Sequence, residues 1–232
     1  IAVPPNFTNV IIDNVRIIDA NYINYQLDGI TAYEWRDELD NWKEDVEFTM
    51  NYTQVQDLSV IMVLDESASL GEDFEKVKQY ASSFITNVLA EIPNARIGIV
   101  DFADEIHTFP ATNNKTALIN YIASLQQGPF TTLYDSVNVG IDMLEDMDAE
   151  AKVLLVFTDG TDNNSDPEFT PTYILDRLNN TTSDVKITSF TIGLEGKGGV
   201  DKPVLTEMAA NGGSAAFPKN ADELGKVFLK FS

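Results

Sequence analysis

The chain has 232 residues, enough for one sizeable hydrophobic core and a smaller additional module. It carries 15 Lys and Arg against 37 Asp and Glu, and its formal net charge of −22 would repel nucleic acid and anionic membrane surfaces. The absence of Cys excludes disulfide scaffolds and thiolate chemistry, and no apolar run approaches the roughly eighteen residues that would span a bilayer.

The first part of the chain, residues 1–56, is predicted to be a small antiparallel β appendage. Residues 46–52 alternate strictly between apolar and polar side chains, and residues 10–19 and 21–27 are also predicted to be extended. Such a piece is marginally stable alone, so we expect it to pack on the main domain or on strands beyond Ser232 in a longer parent, as part of a sandwich. Because neither Met nor a secretion signal precedes Ile1, we expect a processed form or an excised fragment.

The second part, residues 57–232, alternates between apolar runs and helical patterns, which is typical of a parallel sheet with helices on both faces. The predicted strands cover residues 58–64, 95–102, 105–109, 153–157, 185–192 and 215–217, with 95–109 as an edge hairpin. The predicted helices cover residues 74–92, 116–125, 133–147, 170–178, 203–210 and a last one from 221. The fold class is therefore predicted to be α/β, a doubly wound and mostly parallel sheet. Ligands of such sheets gather at the carboxyl ends of strands.

One candidate motif, Asp65-Glu66-Ser67-Ala68-Ser69, lies where the first buried strand ends and the first helix approaches. A carboxylate followed by hydroxyls at two-residue spacing places three oxygens on one side of an extended turn, which suits a small hard cation. The alternative is a helix cap, in which Ser67 or Ser69 accepts hydrogen bonds from the free amides of the helix start.

Two further motifs are predicted to reach the same edge of the sheet. Asp159 follows the most hydrophobic strand, although Asp159-Gly160 is also a common turn sequence. Thr131 and Thr132 lie where a loop enters a helix, so either hydroxyl is a candidate ligand or a helix cap.

Together, the three motifs resemble the von Willebrand factor type A family and its metal-ion-dependent adhesion site, in which Asp-X-Ser-X-Ser, a Thr and an Asp come from three loops in this order. The resemblance extends from about residue 58 to the end of the chain and is closest to bacterial members. It implies that a divalent ion is surrounded by Asp65, Ser67, Ser69, Thr131 and Asp159. Thr131 is preferred because Thr131-X-Leu-Tyr-Asp is similar to the form in many bacterial members, although Gly128-Pro129-Phe130 departs from the glycines that often precede the Thr.

All-oxygen ligation favours Mg²⁺ or Mn²⁺, with Ca²⁺ as an alternative, whereas the absence of Cys and the single His107 argue against zinc. The resemblance implies a non-enzymatic adhesion module, in which the ion binds a carboxylate of a protein or cell-surface ligand, outside the cell or on a bacterial surface. Cytosolic members also exist. The alternatives are a structural assembly module with a stabilising or vestigial metal site, and a metal-dependent phosphohydrolase, for which the sequence offers neither a paired His nor a phosphate-binding glycine loop. The sequence predicts neither membrane insertion nor an oligomeric state.

Overall fold

The computed structural model describes residues 33–36, 41–44, 57–195 and 199–231. The chain divides into two compact units, Ile1–Gln54 and Val55–Ser232. In the first unit, strands β1 (Tyr33–Arg36) and β2 (Asn41–Glu44) form an antiparallel pair with Trp35 opposite Trp42. The sequence pattern did not predict these two strands, and the predicted extended segments at 10–19, 21–27 and 46–52 lie outside the described residues. The separate β appendage over residues 1–56 and the main domain over residues 57–232 therefore remain a proposal.

The second unit contains a six-stranded sheet that is parallel except for one edge strand, β5. Its strand order is β5-β4-β3-β6-β7-β8. The strands are β3 (Leu58–Asp65), β4 (Arg96–Phe102), β5 (Ile106–Thr112), β6 (Ala151–Thr158), β7 (Ile187–Gly193) and β8 (Ala215–Ala216). This architecture confirms the predicted fold class and places the predicted hairpin, β4 and β5, at one edge.

Helices cover both faces of this sheet. Their bounds are α1 (Phe74–Glu91), α2 (Lys115–Ser124), α3 (Leu133–Glu145), α4 (Pro171–Asn179), α5 (Lys202–Met208) and α6 (Ala221–Phe231), and a 3₁₀ segment, Ala68–Asp73, precedes α1. Helices α1, α2 and α6 pack on one face, and α3, α4 and α5 on the other. The predicted helix starts at residues 74 and 133 agree with the structure. None of the described helices is long and apolar enough to cross a membrane.

The continuous apolar sequence of β3 follows from burial on both faces. Val60, Met62 and Leu64 enter one core, and Ile61 and Val63 enter the other. Each fully buried side chain of this size stabilises the fold by about 1.5–3 kcal/mol. Successive strand residues point to opposite faces, so a strand with two covered faces must be apolar throughout.

The connections also determine where a ligand can bind. Starting from β3, the chain first adds β4 and β5 on one side, and then returns to add β6, β7 and β8 on the other. The loops that follow β3 and β6 therefore diverge to opposite faces and leave a crevice at the carboxyl ends of these two strands. Asp65 ends β3, and Asp159 directly follows β6.

Candidate metal centre

Asp65 and Asp159 are held together by the pairing of β3 with β6. Leu64 is opposite Phe157 in the parallel register, so the next residues, Asp65 and Thr158, are neighbours across the strand ends. The Thr158 hydroxyl donates a hydrogen bond of 2.6 Å to Asp65 Oδ2, and the Ser67 amide donates one of 2.7 Å to Asp65 Oδ1. Both Asp65 oxygens are thereby fixed in the crevice. The role of Thr158 was not predicted from the sequence.

The two serines converge on the second carboxylate. Ser69 Oγ donates to Asp159 Oδ1 at 2.8 Å, Ser67 Oγ lies 3.4 Å from the same oxygen, and the two hydroxyl oxygens are 2.9 Å apart. An octahedral ion with ligands at 2.0–2.1 Å keeps neighbouring ligand oxygens about 2.9 Å apart, so this spacing fits Mg²⁺. Ser67 makes no side-chain cap bond to the following 3₁₀ segment. The serines are therefore arranged around Asp159, and the capping alternative is not supported for Ser67.

Both carboxylates are buried without a cationic partner. Asp65 is fully buried and Asp159 is 1% exposed, yet no Lys, Arg or His among residues 57–195 and 199–231 forms an ion pair with either of them. Burial raises the pKa of Asp65 to about 6 and also raises the pKa of Asp159. Because buried charges in proteins are normally paired or bound to metals, this pair of carboxylates fits a site for a cation.

The raised pKa of Asp65 predicts a pH-dependent stability in chelator. The folded state binds the proton more tightly than the unfolded chain, so this contribution is fully present below pH 3.8 and is lost as the pH rises to about 6. Asp65→Asn removes the titration and fits sterically, since Thr158 can donate to the Gly160 carbonyl at 3.3 Å instead. Urea unfolding in EDTA should therefore show the variant gaining stability over the unsubstituted protein across this window, with no further gain above it. A constant difference across the window would contradict the burial argument.

Thr131 and Thr132 have different roles. The Thr132 hydroxyl donates to the Ala103 carbonyl at 2.6 Å and accepts from Asn164 Nδ2 at 2.9 Å. The Thr131 hydroxyl makes no hydrogen bond within the described part of the chain and lies near Gly160, since a Cβ added there would be 3.5 Å from Thr131 Oγ1. Thr131 is therefore the residue whose hydroxyl is available to a ligand beside Asp159, and neither Thr caps α3.

The α3 helix is capped from the loop after β6, a contact that was not predicted from the sequence. Asp162 Oδ1 accepts from the Leu133 amide at 2.8 Å, and Ser165 Oγ accepts from the Tyr134 amide at 3.0 Å. Asn163 Oδ1 accepts from the Thr131 amide at 2.8 Å. The polar run that follows Asp159 therefore positions the Thr131 loop. Its Asp, Asn and Ser content was the available signal, because these residues cap helix ends.

A pair of variants distinguishes the two threonines. Thr131→Val is expected to weaken Mg²⁺ binding by about tenfold or more, because a ligand bond worth about 1.4 kcal/mol is lost, and to change unfolding stability by less than about 0.5 kcal/mol. Thr132→Val is expected to lower stability by about 1–2 kcal/mol, since two hydrogen bonds are lost, and to leave Mg²⁺ affinity nearly unchanged. Calorimetric titration and urea unfolding measure both quantities. The opposite assignment of the two effects would make Thr132 the ligand.

The loop before Thr131 exposes an aromatic ring beside the site. Gly128 pairs with Ser67, and its main-chain oxygen accepts from the Ala68 amide at 2.9 Å. Phe130 has a φ of 62°, a conformation that few non-glycine residues adopt, and it is 57% exposed. The sequence left open whether Phe130 contacts a partner or closes the loop over the core. Its exposure shows that it does not close the loop over the core.

Comparison with protein families gives a match to the von Willebrand factor type A domain over residues 59–229. The match covers the six strands of the large sheet, except for the first residue of β3, and the five predicted site residues. No curated protein sequence matches the chain.

Solved structures with the same fold come from several organisms. BatB from Bacteroides thetaiotaomicron is 18% identical, with 75% of this chain and 96% of that chain covered and a TM-score of 0.57. The vWF domain of the type V pili tip protein Mfa5 from Porphyromonas gingivalis is 13% identical, with coverages of 76% and 95% and a TM-score of 0.54. A von Willebrand factor type A structure from Catenulispora acidiphila is 15% identical, with coverages of 76% and 42% and a TM-score of 0.62.

The matched region is a small part of some longer structures. The chain covers 42% of the length of the Catenulispora structure, and 46% of the chain matches 20% of a structure of three N-terminal Mfa5 domains. At these identities the likeness establishes the fold of the described domain.

Proposed function

Because this chain belongs to the von Willebrand factor type A domain family, we propose that it is a metal-dependent protein-binding module of the adhesion type. The proposal rests on the pair of buried carboxylates, Asp65 and Asp159, which lack a cationic partner within the described residues. Hydroxyl groups lie beside both carboxylates and can exchange their present hydrogen bonds for bonds to an ion. Ser67, Ser69 and Thr131 would hold a Mg²⁺ or Mn²⁺ ion directly. The two carboxylates would neutralise it, in part through water.

The donor set favours binding over chemistry. Three of the five proposed ligand residues are neutral and the two carboxylates act in part through water, so the ion stays electrophilic and can offer an open position to a carboxylate of the partner. Among the described residues, the sole histidine, His107, contacts Asp101 and Glu105 and none of the five site residues. The proposed site thus has no imidazole base, in keeping with a family that generally mediates protein interactions.

The surroundings support a protein as the partner. Phe130 adds exposed apolar surface beside Thr131, and aromatic residues are enriched in protein interfaces. The net charge of −22 would repel an acidic partner once it approaches to about the Debye length, about 8 Å at physiological salt, whereas the ion attracts the partner's carboxylate at contact. Mfa5 is named as a pilus tip protein, which favours a location on a bacterial surface.

A peptide selection tests this function. Random peptides are bound to the immobilised full chain in Mg²⁺ and eluted with EDTA, and the eluted peptides are expected to share an Asp or Glu. Changing that residue to Asn or Gln should weaken binding by about 100-fold, the order of a buried charge contact. Phe130→Asn tolerates the same φ and should weaken peptide binding while stability is retained.

Each other outcome of the selection has a defined meaning. Peptides that bind equally well in EDTA would contradict a metal-bridged contact. Mg²⁺ binding without any carboxylate-dependent peptide would favour the structural module. Hydrolysis of a phosphoester panel that is abolished by Ser67→Ala would instead support the enzyme.

A further inference from the structure

A second group of ligand-type side chains lies on the other side of β3, between β4 and β5. Asp101 in β4 is directly opposite His107 in β5, and Glu66 follows the end of β3 with its amide bonded to the Phe102 carbonyl at 2.9 Å. One ligand atom from each of Glu66, Asp101 and His107 lies within 4.8 Å of the others. Asp65, by contrast, is bonded to Thr158 on the β6 side. Adjacent residues of one strand end therefore serve different sites.

Glu66 provides the independent indication of a ligand. Its side chain is buried, with the residue only 7% exposed, and its Oε2 has no hydrogen-bond partner. Native proteins pair almost all of their buried polar atoms, so an unpaired carboxylate oxygen in a cluster of ligand-type atoms calls for a partner that is not a protein group.

The other two residues are held in orientations that suit coordination. Asp101 is 2% exposed, its Oδ1 accepts from the Tyr121 hydroxyl at 2.6 Å, and its Oδ2 lies 3.4 Å from His107 Nδ1. His107 Nε2 faces Glu105 Oε2 at 3.6 Å. Metal-bound carboxylates are commonly fixed by an outer hydrogen bond of the kind that Tyr121 donates to Asp101. His107 is also half exposed, so an ion can reach the cluster from solvent.

We propose that Glu66, Asp101 and His107 form a second divalent-cation site, selective for a transition-metal ion of the Zn²⁺ type. Ligands about 2.0–2.1 Å from a tetrahedral ion are about 3.3 Å apart, close to the separation of Asp101 Oδ2 from His107 Nδ1. An imidazole nitrogen favours Zn²⁺ over Mg²⁺. The single His and absent Cys argued against zinc at the Asp65 site, and here two strand-end carboxylates supply the remaining ligands. The fourth position is left for water.

The sole histidine makes a direct test available. The full chain, labelled with ¹⁵N and saturated with Mg²⁺, is titrated with ZnCl₂ near neutral pH while the imidazole resonances of His107 are followed by NMR. We expect the ring resonances to shift with saturable binding. Glu66→Gln should weaken this Zn²⁺ binding by at least about 10–100-fold, the range found when even an outer partner of a metal ligand is lost.

Two control variants separate this site from its surroundings. Asp104→Asn removes an exposed carboxylate from the same β4–β5 turn and should leave Zn²⁺ affinity within about threefold. Asp159→Asn should also retain the His107 shift, because it alters only the Asp65 site. Melting curves in EDTA establish that each variant is folded.

The proposal is overturned by either of two results. Equal Zn²⁺ affinity in Glu66→Gln and the unsubstituted chain would show adventitious binding to an exposed imidazole. Loss of Zn²⁺ binding in Asp159→Asn would show that zinc occupies the Asp65 site instead.

Discussion

In Asp159→Asn, added Mg²⁺ is expected to leave the melting temperature unchanged, whereas the same addition raises that of the unsubstituted chain. A ligand at 100 times its Kd stabilises the folded state by about 2.7 kcal/mol, which for a domain of this size corresponds to roughly 5–10 °C. Asp159 supplies the carboxylate oxygen on which Ser67 and Ser69 converge, and the substitution removes its charge. Scanning calorimetry in Mg²⁺ and in EDTA measures the effect.

The stability of this variant in EDTA should move in the opposite direction. Asn keeps the size of Asp159 and an oxygen that can accept from Ser69, while it removes a buried charge that lacks a cation within the described chain. Asp159→Asn is therefore expected to be at least as stable as the unsubstituted protein without metal.

Asp162→Asn is the matched control, because Asp162 lies three residues away on the same loop and caps α3. Asn keeps a side-chain oxygen that can cap α3, so this substitution should change stability by less than about 0.5 kcal/mol and leave the Mg²⁺-dependent rise intact. An equal Mg²⁺ response in Asp159→Asn and the unsubstituted chain would contradict the assignment of Asp159. So would loss of the response in both variants.

Gly213→Ala is expected to lower the free energy of unfolding by about 3 kcal/mol or more. A Cβ at this position would lie 1.8 Å from the Ser189 carbonyl oxygen, which belongs to β7 and cannot move without disturbing the sheet. The adjacent Ser214 carbonyl accepts from the Thr191 amide, so the close approach is part of how the chain enters β8. Urea unfolding measures the loss.

Gly160→Ala is the control for this substitution. Its Cβ would meet only the Thr131 side chain, at ordinary contact distances of 3.5 Å to Oγ1 and 3.9 Å to Cγ2, so stability should change by less than about 0.5 kcal/mol. Similar losses in both variants would indicate that glycine flexibility, rather than the contact with Ser189, sets the cost.

The sheet and its helices could be predicted because each element has a strong local pattern. The apolar run of β3 requires two covered faces, and α1, with its periodic apolar residues, ends at Glu91, two residues before Pro93. The short pair β1 and β2 was missed because four-residue strands contain too few alternating positions to be recognised. Boundaries shifted by a few residues where tertiary hydrogen bonds extend an element, as in β5, which continues to Thr112.

The site was predictable in part, for a topological reason. Parallel strands bring their carboxyl ends to one edge, so the predicted proximity of Asp65 and Asp159 follows from strand order alone. The roles of Thr158, Asp162 and Ser165 were not predictable, because each depends on a contact between loops that are distant in sequence. The same holds for the contacts of Glu66 with Asp101 and His107. The sequence predicted the β4–β5 hairpin and its place at the edge of the sheet, but not that its side chains meet Glu66.

Anomalous scattering from crystals of the full chain grown with Mn²⁺ would locate a divalent cation held by the strand-end motifs directly. We expect an anomalous peak within about 2.3 Å of Ser67 Oγ, Ser69 Oγ and Thr131 Oγ1, with one coordination position open to solvent. Absence of a peak there at saturating Mn²⁺ would show that these motifs hold no ion, and ligation by Thr132 in place of Thr131 would contradict the assignment of Thr131.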